Sequence, residues 1–345
     1  MNINDVLEFL KQYDGDEITI MEVCGTHTAS ISENAIPSLI SDKIHLISGP
    51  GCPVCVTVSD YVDRLIELAL NGNIIVTFGD MIRVPGSRQA LADIKAQGAD
   101  IRMVYSPIQT IELAKAEPDR SFVFAAVGFE TTTPIYALLL DEIIKQGIEN
   151  IKLLTALKTM PNVIARMCDS ENTIDGFLAP GHVAVITGSE AFAPLAERYN
   201  LPFAVSGFEA EEIFASIYAL VKLRGTGKVI NLYKSAVNEN KNEKAYEIVN
   251  KYLEPYDASW RGLGVIKGSG MAIKGEYSRY DAGSRELVND YSHKNGCSCK
   301  DIITGIKKPT DCPLYNTACT PESPKGACMV SNEGACFNYI TNNRK

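Results

Sequence analysis

Two of the ten cysteines in this sequence of 345 residues have the spacing of a redox pair. Residues 49–55 read GPGCPVC, so Cys52 and Cys55 form a Cys-x-x-Cys motif. The motif lies between an apolar run and a segment with helical periodicity, and we expect Cys52 to cap that helix with Pro53 at its first position. This placement is typical of thiol–disulfide redox centres, in which the pKa of the first sulfur is lowered. Half of a structural zinc site is the alternative.

A third cysteine lies in the string CGTHT at residues 24–28, directly after another apolar run. In an open α/β sheet, ligands bind at the carboxyl ends of the strands. There the positive end of the following helix would lower the pKa of Cys24 and favour its thiolate. Gly25 would allow a ligand or partner to approach the backbone, and His27 could pair with the sulfur or an incoming group. A buried, inert cysteine is the alternative.

The tail of the chain carries six cysteines: Cys297, Cys299, Cys312, Cys319, Cys328 and Cys336. The last four lie in a loop-rich segment, and four thiolates suit zinc or an iron–sulfur cluster. Their spacing matches neither zinc ribbons nor ferredoxins, so it indicates a metal site without naming the metal. Cys297 and Cys299 form a nearby extra pair. Cys168 stands alone, and we expect it in the core.

Two further strings place polar side chains after strand-like runs. Residues 128–134 read GFETTTP, which presents Glu130 and three threonine hydroxyls at a strand edge, with Pro134 opening the next helix. Residues 180–183 read PGHV and place His182 at another strand edge. A threonine cap with a solvated glutamate, and a structural histidine, are the simpler interpretations. We treat Glu130 and His182 as candidate site residues.

The elements that must position these side chains follow from the apolar pattern. Short apolar runs alternate with segments of helical periodicity, which predicts parallel sheets with helices on both faces. The strand-like runs are residues 18–23, 44–47, 74–78, 101–104, 122–127, 151–155, 174–178 and 203–205. Beyond residue 223, we expect a polar helix over residues 238–254 and a strand over residues 260–266.

We predict two related α/β domains and a third, cysteine-rich domain. The charged, proline-containing residues 116–120 are a plausible connector, and the string GFE occurs after a strand-like run in both halves. The predicted ranges are 18–117 for the first domain, 118–225 for the second, and 1–17 with 226–345 for the third. From about His293 onward the chain lacks the apolar residues for a core of its own, so we expect a metal to organise it.

Composition narrows the class of protein. A net charge of −9 argues against nucleic-acid binding, because affinity for phosphate needs a positive surface. We find no apolar run of membrane-spanning length and no export signal, and we expect a cytoplasmic protein with reduced thiols. Residues 225–228 read GTGK, but Val229 follows and the first glycine of a phosphate-binding loop is missing. The sequence therefore does not support nucleotide-driven chemistry.

Taken together, these strings closely resemble the HypD family of maturation factors for nickel–iron hydrogenases. The matching strings are CGTHT, GPGCPVC, GFETTTP, PGHV and the tail string GACMVSNEGAC at residues 326–336. The resemblance runs in order from about residue 20 to about residue 340. It implies two related α/β domains and a third domain that holds an iron–sulfur cluster.

The resemblance also implies a function. The family assembles the iron centre with two cyanides and one carbon monoxide, on a scaffold formed with the small protein HypC. HypE delivers cyanide made through HypF. By resemblance, Cys24 holds this iron together with the N-terminal cysteine of HypC, and Cys52 and Cys55 are the redox pair beside it. A [4Fe-4S] cluster is implied on Cys312, Cys319, Cys328 and Cys336, where Cys297 or Cys299 could replace a ligand.

Residue type and placement suggest His27, Glu130 and His182 as proton donors or hydrogen-bond partners of the cyanides. We therefore expect an assembly scaffold with redox activity rather than a conventional turnover enzyme. The first alternative is a cluster-containing thiol–disulfide oxidoreductase that acts on a protein partner and holds no iron at its thiols. The second is a zinc-stapled interaction module.

Overall fold

Two β-sheets, both dominated by parallel strands, form the framework of the protein. The computed structural model describes residues 2–169, 173–291 and 296–342. In chain order, the strands are β1 (Ile18–Glu22), β2 (Ile44–Ser48), β3 (Ile74–Thr77), β4 (Ile101–Met103), β5 (Phe122–Gly128), β6 (Ile151–Lys158), β7 (Gly176–Pro180), β8 (Phe203–Ser206), β9 (Val229–Asn231), β10 (Leu253–Trp260) and β11 (Gly264–Ile273). The predicted α/β class is confirmed.

Helices alternate with these strands along most of the chain. They are α1 (Ile3–Lys11), α2 (Gly25–Glu33), α3 (Ser59–Leu70), α4 (Leu91–Ala96), α5 (Gln109–Ala116), α6 (Thr133–Lys145), α7 (Met160–Cys168), α8 (Gly181–Thr187), α9 (Ala193–Tyr199), α10 (Ala210–Lys222), α11 (Glu243–Tyr252), α12 (Cys299–Ile303) and α13 (Ala335–Asn342). Across the described part of the chain, no helix is both long and apolar enough to cross a membrane.

The first sheet has the strand order β2-β1-β7-β8-β9, and all of its strands are parallel. Its central strands are apolar on successive residues because both faces of the sheet are covered. In β1, Ile20 packs in a cluster with α1 and α10, whereas the adjacent Met21 packs in a cluster on the opposite face. The carboxyl end of β1 leads directly into Cys24.

The second sheet has the order β10-β11-β6-β5-β3-β4. Strands β3 to β6 are parallel, and the antiparallel hairpin of β10 and β11 adds to the edge at β6. Ile75 of β3 packs on the side of α3, and the next residue, Val76, packs on the side of α6. The carboxyl ends of β5 and β6 carry Glu130 and Lys158.

One predicted strand is wrong. Residues 260–266 do not form a strand of their own, because Trp260 ends β10 and β11 begins at Gly264. Gly262 and Gly264 have φ angles of +73° and +75°, which glycine adopts without strain, and they turn the chain between the two strands. The apolar residues at the two ends of this segment therefore belong to neighbouring strands. The predicted polar helix exists as α11 and is shorter at both ends.

Each sheet combines strands from both sides of residue 117. The first sheet takes β1 and β2 from before this point and β7 to β9 from after it, whereas the second takes β3 and β4 from before and β5 and β6 from after. The predicted ranges 18–117 and 118–225 therefore do not correspond to the two sheets. Residues 116–120 connect α5 with β5 inside the second sheet, and α1 packs on α10 of the first.

The tail from residue 296 to residue 342 contains only short helices and packs on the carboxyl edge of the first sheet. Helix α13 contacts α2, and Ser32 Oγ donates a hydrogen bond of 3.0 Å to the carbonyl oxygen of Asn338. The buried tail cysteines share one apolar cluster with Met21 and Phe177 of the first sheet. His293, at which the tail is predicted to begin, lies outside the described residues.

Candidate functional site

Cys24 occupies the N-cap of helix α2, at the carboxyl end of β1, as predicted. Its side chain is buried and makes no cap hydrogen bond to the helix. Burial, together with the negative charge of Glu333, raises the pKa of the Cys24 thiol to about 12. The expectation that the helix lowers this pKa is wrong, because desolvation outweighs the helix N-terminus.

Two carboxyl groups that the sequence analysis missed lie beside Cys24. Glu22 Oε2 accepts a hydrogen bond of 3.0 Å from the backbone N–H of Cys24, and Glu22 Oε1 accepts one of 2.6 Å from Thr28 Oγ1. Glu333 comes from the tail and lies against Gly25, where a methyl group would be 2.2 Å from its Cβ. Burial raises the pKa of Glu22 and of Glu333 to about 7.

A signal for Glu22, but not for Glu333, is present in the sequence. Glu22 interrupts the apolar run that forms β1, and a buried charge in such a run is unusual unless it has partners. Glu333 lies between Cys328 and Cys336 in the tail string. Only the fold shows that this part of the tail reaches Cys24, because the two segments are distant in sequence.

Cys52 and Cys55 form a disulfide with a Cα–Cα distance of 5.2 Å. Both residues are buried, and the backbone N–H of Cys55 donates to Cys52 Sγ at 3.1 Å. The predicted helix cap at Cys52 is wrong. Residues 52–57 form hydrogen-bonded turns, and helix α3 begins later, at Ser59. The disulfide thus lies in a compact loop rather than at a helix N-terminus.

The disulfide loop packs directly on the backbone of Cys24. A methyl group on Gly51 would lie 2.3 Å from the backbone nitrogen of Cys24, so glycine is required for this close approach. The backbone N–H of Gly25 also donates to the carbonyl oxygen of Gly51 at 3.1 Å. The structure therefore brings the two early cysteine motifs together at one end of the first sheet.

The tail cysteines gather beside this loop. Cys297, Cys312, Cys319, Cys328 and Cys336 line one cavity, together with Tyr315 and Met329. Cys299 does not line this cavity, but its Sγ lies 2.8 Å from Cys328 Sγ. Cys52 and Cys55 belong to the same buried cluster. Among residues 2–169, 173–291 and 296–342, no group of three or more His, Cys, Asp or Glu side chains is arranged to hold a single metal ion.

The rings of the two candidate histidines both contact the ring of Phe208. The ring of His182 stacks on Phe208 with a centroid distance of 4.1 Å, and the His27 ring lies 4.8 Å from it. His27 is buried, and its Nε2 donates to the carbonyl oxygen of Gly207 at 2.9 Å rather than to the Cys24 sulfur. Burial lowers the pKa of both histidines, that of His27 to about 4. His27 Nδ1 is buried without a hydrogen-bond partner in the described part of the chain.

Glu130 occupies a different place. Its Oε1 accepts a hydrogen bond of 2.9 Å from the backbone N–H of Met160, and it lines a small cavity with Thr133, Thr159 and Tyr246. Burial raises its pKa to about 7. The simple interpretation as a solvated glutamate is wrong, whereas Pro134 lies in the first turn of α6 as predicted. Glu130 does not line the cavity of the tail cysteines.

Cys168 ends helix α7 and is half-buried against the apolar cluster that contains the tail cysteines. Burial raises the pKa of its thiol to about 12. Cys168 does not line the cavity of the tail cysteines. It is therefore a suitable reference cysteine for experiments on the others.

The fold and this site define a class: an α/β protein in which a buried thiol, a disulfide and a group of tail thiols meet at the edge of a sheet. The family model described as "HypD: Hydrogenase formation hypA family" matches residues 2–343. The chain belongs to the HypD family of hydrogenase maturation factors, as the sequence strings predict.

Individual relatives support the same assignment over nearly the whole chain. A putative hydrogenase expression/formation protein of Methanocaldococcus jannaschii is 38% identical, with 97% of both chains covered. The hydrogenase maturation factor HypD of Rhizobium leguminosarum bv. viciae is 41% identical, over 92% of this chain and 86% of its own. That of Escherichia coli K12 is 37% identical, over 92% and 87%.

Proposed function

We propose that this chain is an assembly scaffold with redox activity for the Fe(CN)2CO group of nickel–iron hydrogenases. HypC is the proposed scaffold partner, HypE the transient cyanide donor, and the cytoplasm the proposed compartment. The observation that carries the proposal is the packing of Gly51, which adjoins the Cys52–Cys55 disulfide, on the backbone of Cys24. A thiol for anchoring iron thus lies next to a pair that can store two electrons.

Cys24 is the proposed ligand of the incoming iron. Iron that binds cyanide and carbon monoxide favours a soft thiolate as its anchor. Because burial raises the pKa of Cys24, its proton must pass to an acceptor when iron binds. Glu22 and Glu333 are the neighbouring carboxyl groups, and a pKa of about 7 suits them to accept and return a proton.

His27 and His182 are proposed to exchange protons or hydrogen bonds with the cyanides. Supporting this role, both rings contact Phe208 close to helix α2, and the buried His27 Nδ1 has no partner among the described residues and can accept a hydrogen bond. Glu130 is the third proposed proton donor. A pKa of about 7 supports that chemistry, although its described contacts belong to the separate cavity beside Met160.

A [4Fe-4S] cluster is the proposed cofactor of the tail. Five cysteines line one cavity, and thiolate sulfur is the ligand that iron–sulfur clusters require. When bound, the cluster supplies one-electron transfer next to the disulfide. Cys312, Cys319 and Cys336 are proposed ligands, with Cys328 as the predicted fourth. Cys297, which lines the same cavity, is the alternative to Cys328.

The second candidate function is a cluster-containing thiol–disulfide oxidoreductase that acts on a protein partner. The burial of the disulfide in one cluster with the tail thiols is the observation that favours it. In this case no iron is bound at Cys24. The two functions therefore differ in the amount and the ligands of iron on the purified chain.

Iron and acid-labile sulfide analysis after anaerobic purification separates the candidates. The scaffold predicts about four irons and four sulfides per chain from the cluster, with additional iron when HypC is present. A bare oxidoreductase predicts the same cluster and no additional iron. A chain that contains zinc, no sulfide and no brown chromophore would exclude both candidates and support the zinc-stapled interaction module.

A further inference from the structure

Arg261 is a buried positive charge to which the functions above give no role. It follows the last residue of β10, and its side chain is only 1% exposed. Its backbone N–H donates to the carbonyl oxygen of Val56 at 2.8 Å, and its Nε donates to that of Thr57 at 2.7 Å. These two hydrogen bonds join Arg261 to Val56 and Thr57, the residues that directly follow Cys55.

The positive charge of Arg261 is incompletely compensated. The Asp290 carboxylate pairs with it only loosely, since Asp290 Oδ1 lies 3.9 Å from Arg261 Nη1. Arg261 Nη2 is buried and has no hydrogen-bond partner within the described ranges. Burying a guanidinium without a closely paired carboxylate costs free energy of folding. We therefore expect other negative charge in this region to balance the charge of Arg261.

The tail thiols lie on the other side of Arg261. A methyl group on Gly262 would lie 2.7 Å from Lys300 Cβ, so the backbone next to Arg261 touches the residue that follows Cys299. Trp260, the residue before Arg261, packs in the same buried cluster as Cys299 and Cys328. Arg261 therefore lies between the disulfide loop and the tail thiols.

We propose that Arg261 is a positioning residue that joins the disulfide loop to the tail and stabilises negative charge on the tail sulfurs. This inference rests on the proposed cluster in the tail. A cluster held by thiolates carries negative charge, and its potential depends on net charge and on hydrogen bonds to its sulfurs. Reduction adds one electron from an external reductant and makes the region one unit more negative, without forming or breaking a bond. A fixed positive charge favours that product.

The test is a spectroscopic redox titration of the anaerobically purified chain, with dithionite as reductant. Arg261→Gln removes the charge, and we expect the reduced-to-oxidised ratio at a given potential to fall about tenfold, which equals about 59 mV toward more negative values. Arg261→Lys keeps the charge and is expected to shift the midpoint less. Arg285→Gln is the control, because the exposed Arg285 pairs with Glu254.

Asp290→Asn keeps the test decisive if Arg261→Gln does not fold. Asp290 Oδ2 accepts a hydrogen bond from the backbone N–H of Gly262 at 3.1 Å, and an amide oxygen can still accept it. Removing the negative charge of Asp290 leaves Arg261 less neutralised, so the midpoint is expected to move toward more positive values.

The outcomes separate this inference from the proposed function. If the cluster is present and neither variant moves its midpoint beyond the Arg285→Gln control, Arg261 only fastens the loop and the inference is wrong. If the parent chain contains no iron and sulfide, the proposed cofactor is wrong, and the inference that rests on it falls as well. Opposite shifts in Arg261→Gln and Asp290→Asn support the inference, because loosened packing alone does not predict opposite signs.

Discussion

The backbone N–H of Gly25 donates a hydrogen bond of 3.1 Å to the carbonyl oxygen of Gly51. This bond joins the first turn of helix α2 to the loop of the Cys52–Cys55 disulfide. On the other side of Gly25 lies Glu333 of the tail. Three segments that are far apart in sequence thus meet within one turn of helix, around Cys24.

Gly51→Ala is expected to disrupt the packing of the disulfide loop on the backbone of Cys24. The added methyl group would lie 2.3 Å from the backbone nitrogen of Cys24, and backbone has little freedom to move away. We expect a loss of about 1–3 kcal/mol in the free energy of unfolding, as for other overpacked sites. Denaturant titration measures it. Gly275→Ala is the matched control, since a methyl group there meets nothing within 4 Å. Equal stability of the two variants would contradict the close packing.

Glu333→Gln is expected to make Cys24 more reactive in the chain without bound iron. Burial is the main reason for the raised pKa of Cys24, and the negative charge of Glu333 is the next. Removing that charge lowers the pKa, so the thiolate fraction and the rate of alkylation at pH 8 should rise about threefold to tenfold. Mass spectrometry of the Cys24 peptide measures this rate.

Glu247→Gln is the control for that experiment, because Glu247 is exposed on helix α11. Its rate of Cys24 alkylation should equal that of the parent. A rate in Glu333→Gln that is unchanged or slower would show that Glu333 does not influence the Cys24 thiol.

Serine substitutions test which tail cysteines hold the proposed cluster. We expect Cys312→Ser, Cys319→Ser and Cys336→Ser each to lose most of the iron and sulfide, because each removes a thiolate ligand. Comparing Cys297→Ser with Cys328→Ser identifies the fourth ligand, and the proposed ligand set predicts the larger loss for Cys328→Ser. Cys168→Ser should retain the parent content. Full iron and sulfide in all of these variants would refute the tail site.

Asp141 provides a pH-dependent contribution to stability away from the cysteines. Its carboxyl group bonds Lys145, Lys251 and Tyr252, and the hydrogen bonds from the two lysines hold its pKa well below the usual range. Because the pKa is lower in the folded state, this stabilisation is present above about pH 4 and is lost as the pH falls toward the folded-state pKa.

Asp141→Asn should therefore unfold at a lower urea concentration than the parent at pH 7, and the difference should shrink at pH 3. Glu142→Gln is the matched control, since Glu142 is more exposed and lies 3.8 Å from Lys145. A difference between Asp141→Asn and the parent that stays constant with pH would contradict the ion pairing.

The apolar pattern predicted strands β1 to β8, because strands covered on both faces are apolar over successive residues, but it did not predict β9 or the β10–β11 hairpin. It did not predict which strands pair. The neighbour of β1 on one side is β7, more than 150 residues away, and local sequence carries no information on such pairing. The hairpin at Gly262 was mistaken for a strand for a related reason, since its two apolar ends belong to different strands.

For the candidate site too, the sequence predicted residues but not the contacts between them. The strings identified Cys24, Cys52 and Cys55, because cysteine in a Gly-rich turn after a strand is a local signal. They did not show that Glu333 reaches Cys24, or that desolvation outweighs the helix N-terminus in setting the pKa of Cys24. Burial and contacts between distant segments decide both, and these exist only in the folded chain.

Infrared spectroscopy of the chain purified anaerobically with HypC tests the central claim most directly. Cyanide and carbon monoxide on iron give stretching bands in a region free of protein absorption. We predict these bands for the parent complex and for Cys168→Ala, and their loss in Cys24→Ala, provided that the variant still binds HypC. Unchanged bands in Cys24→Ala would contradict the assignment of Cys24 as the ligand that holds the iron during assembly.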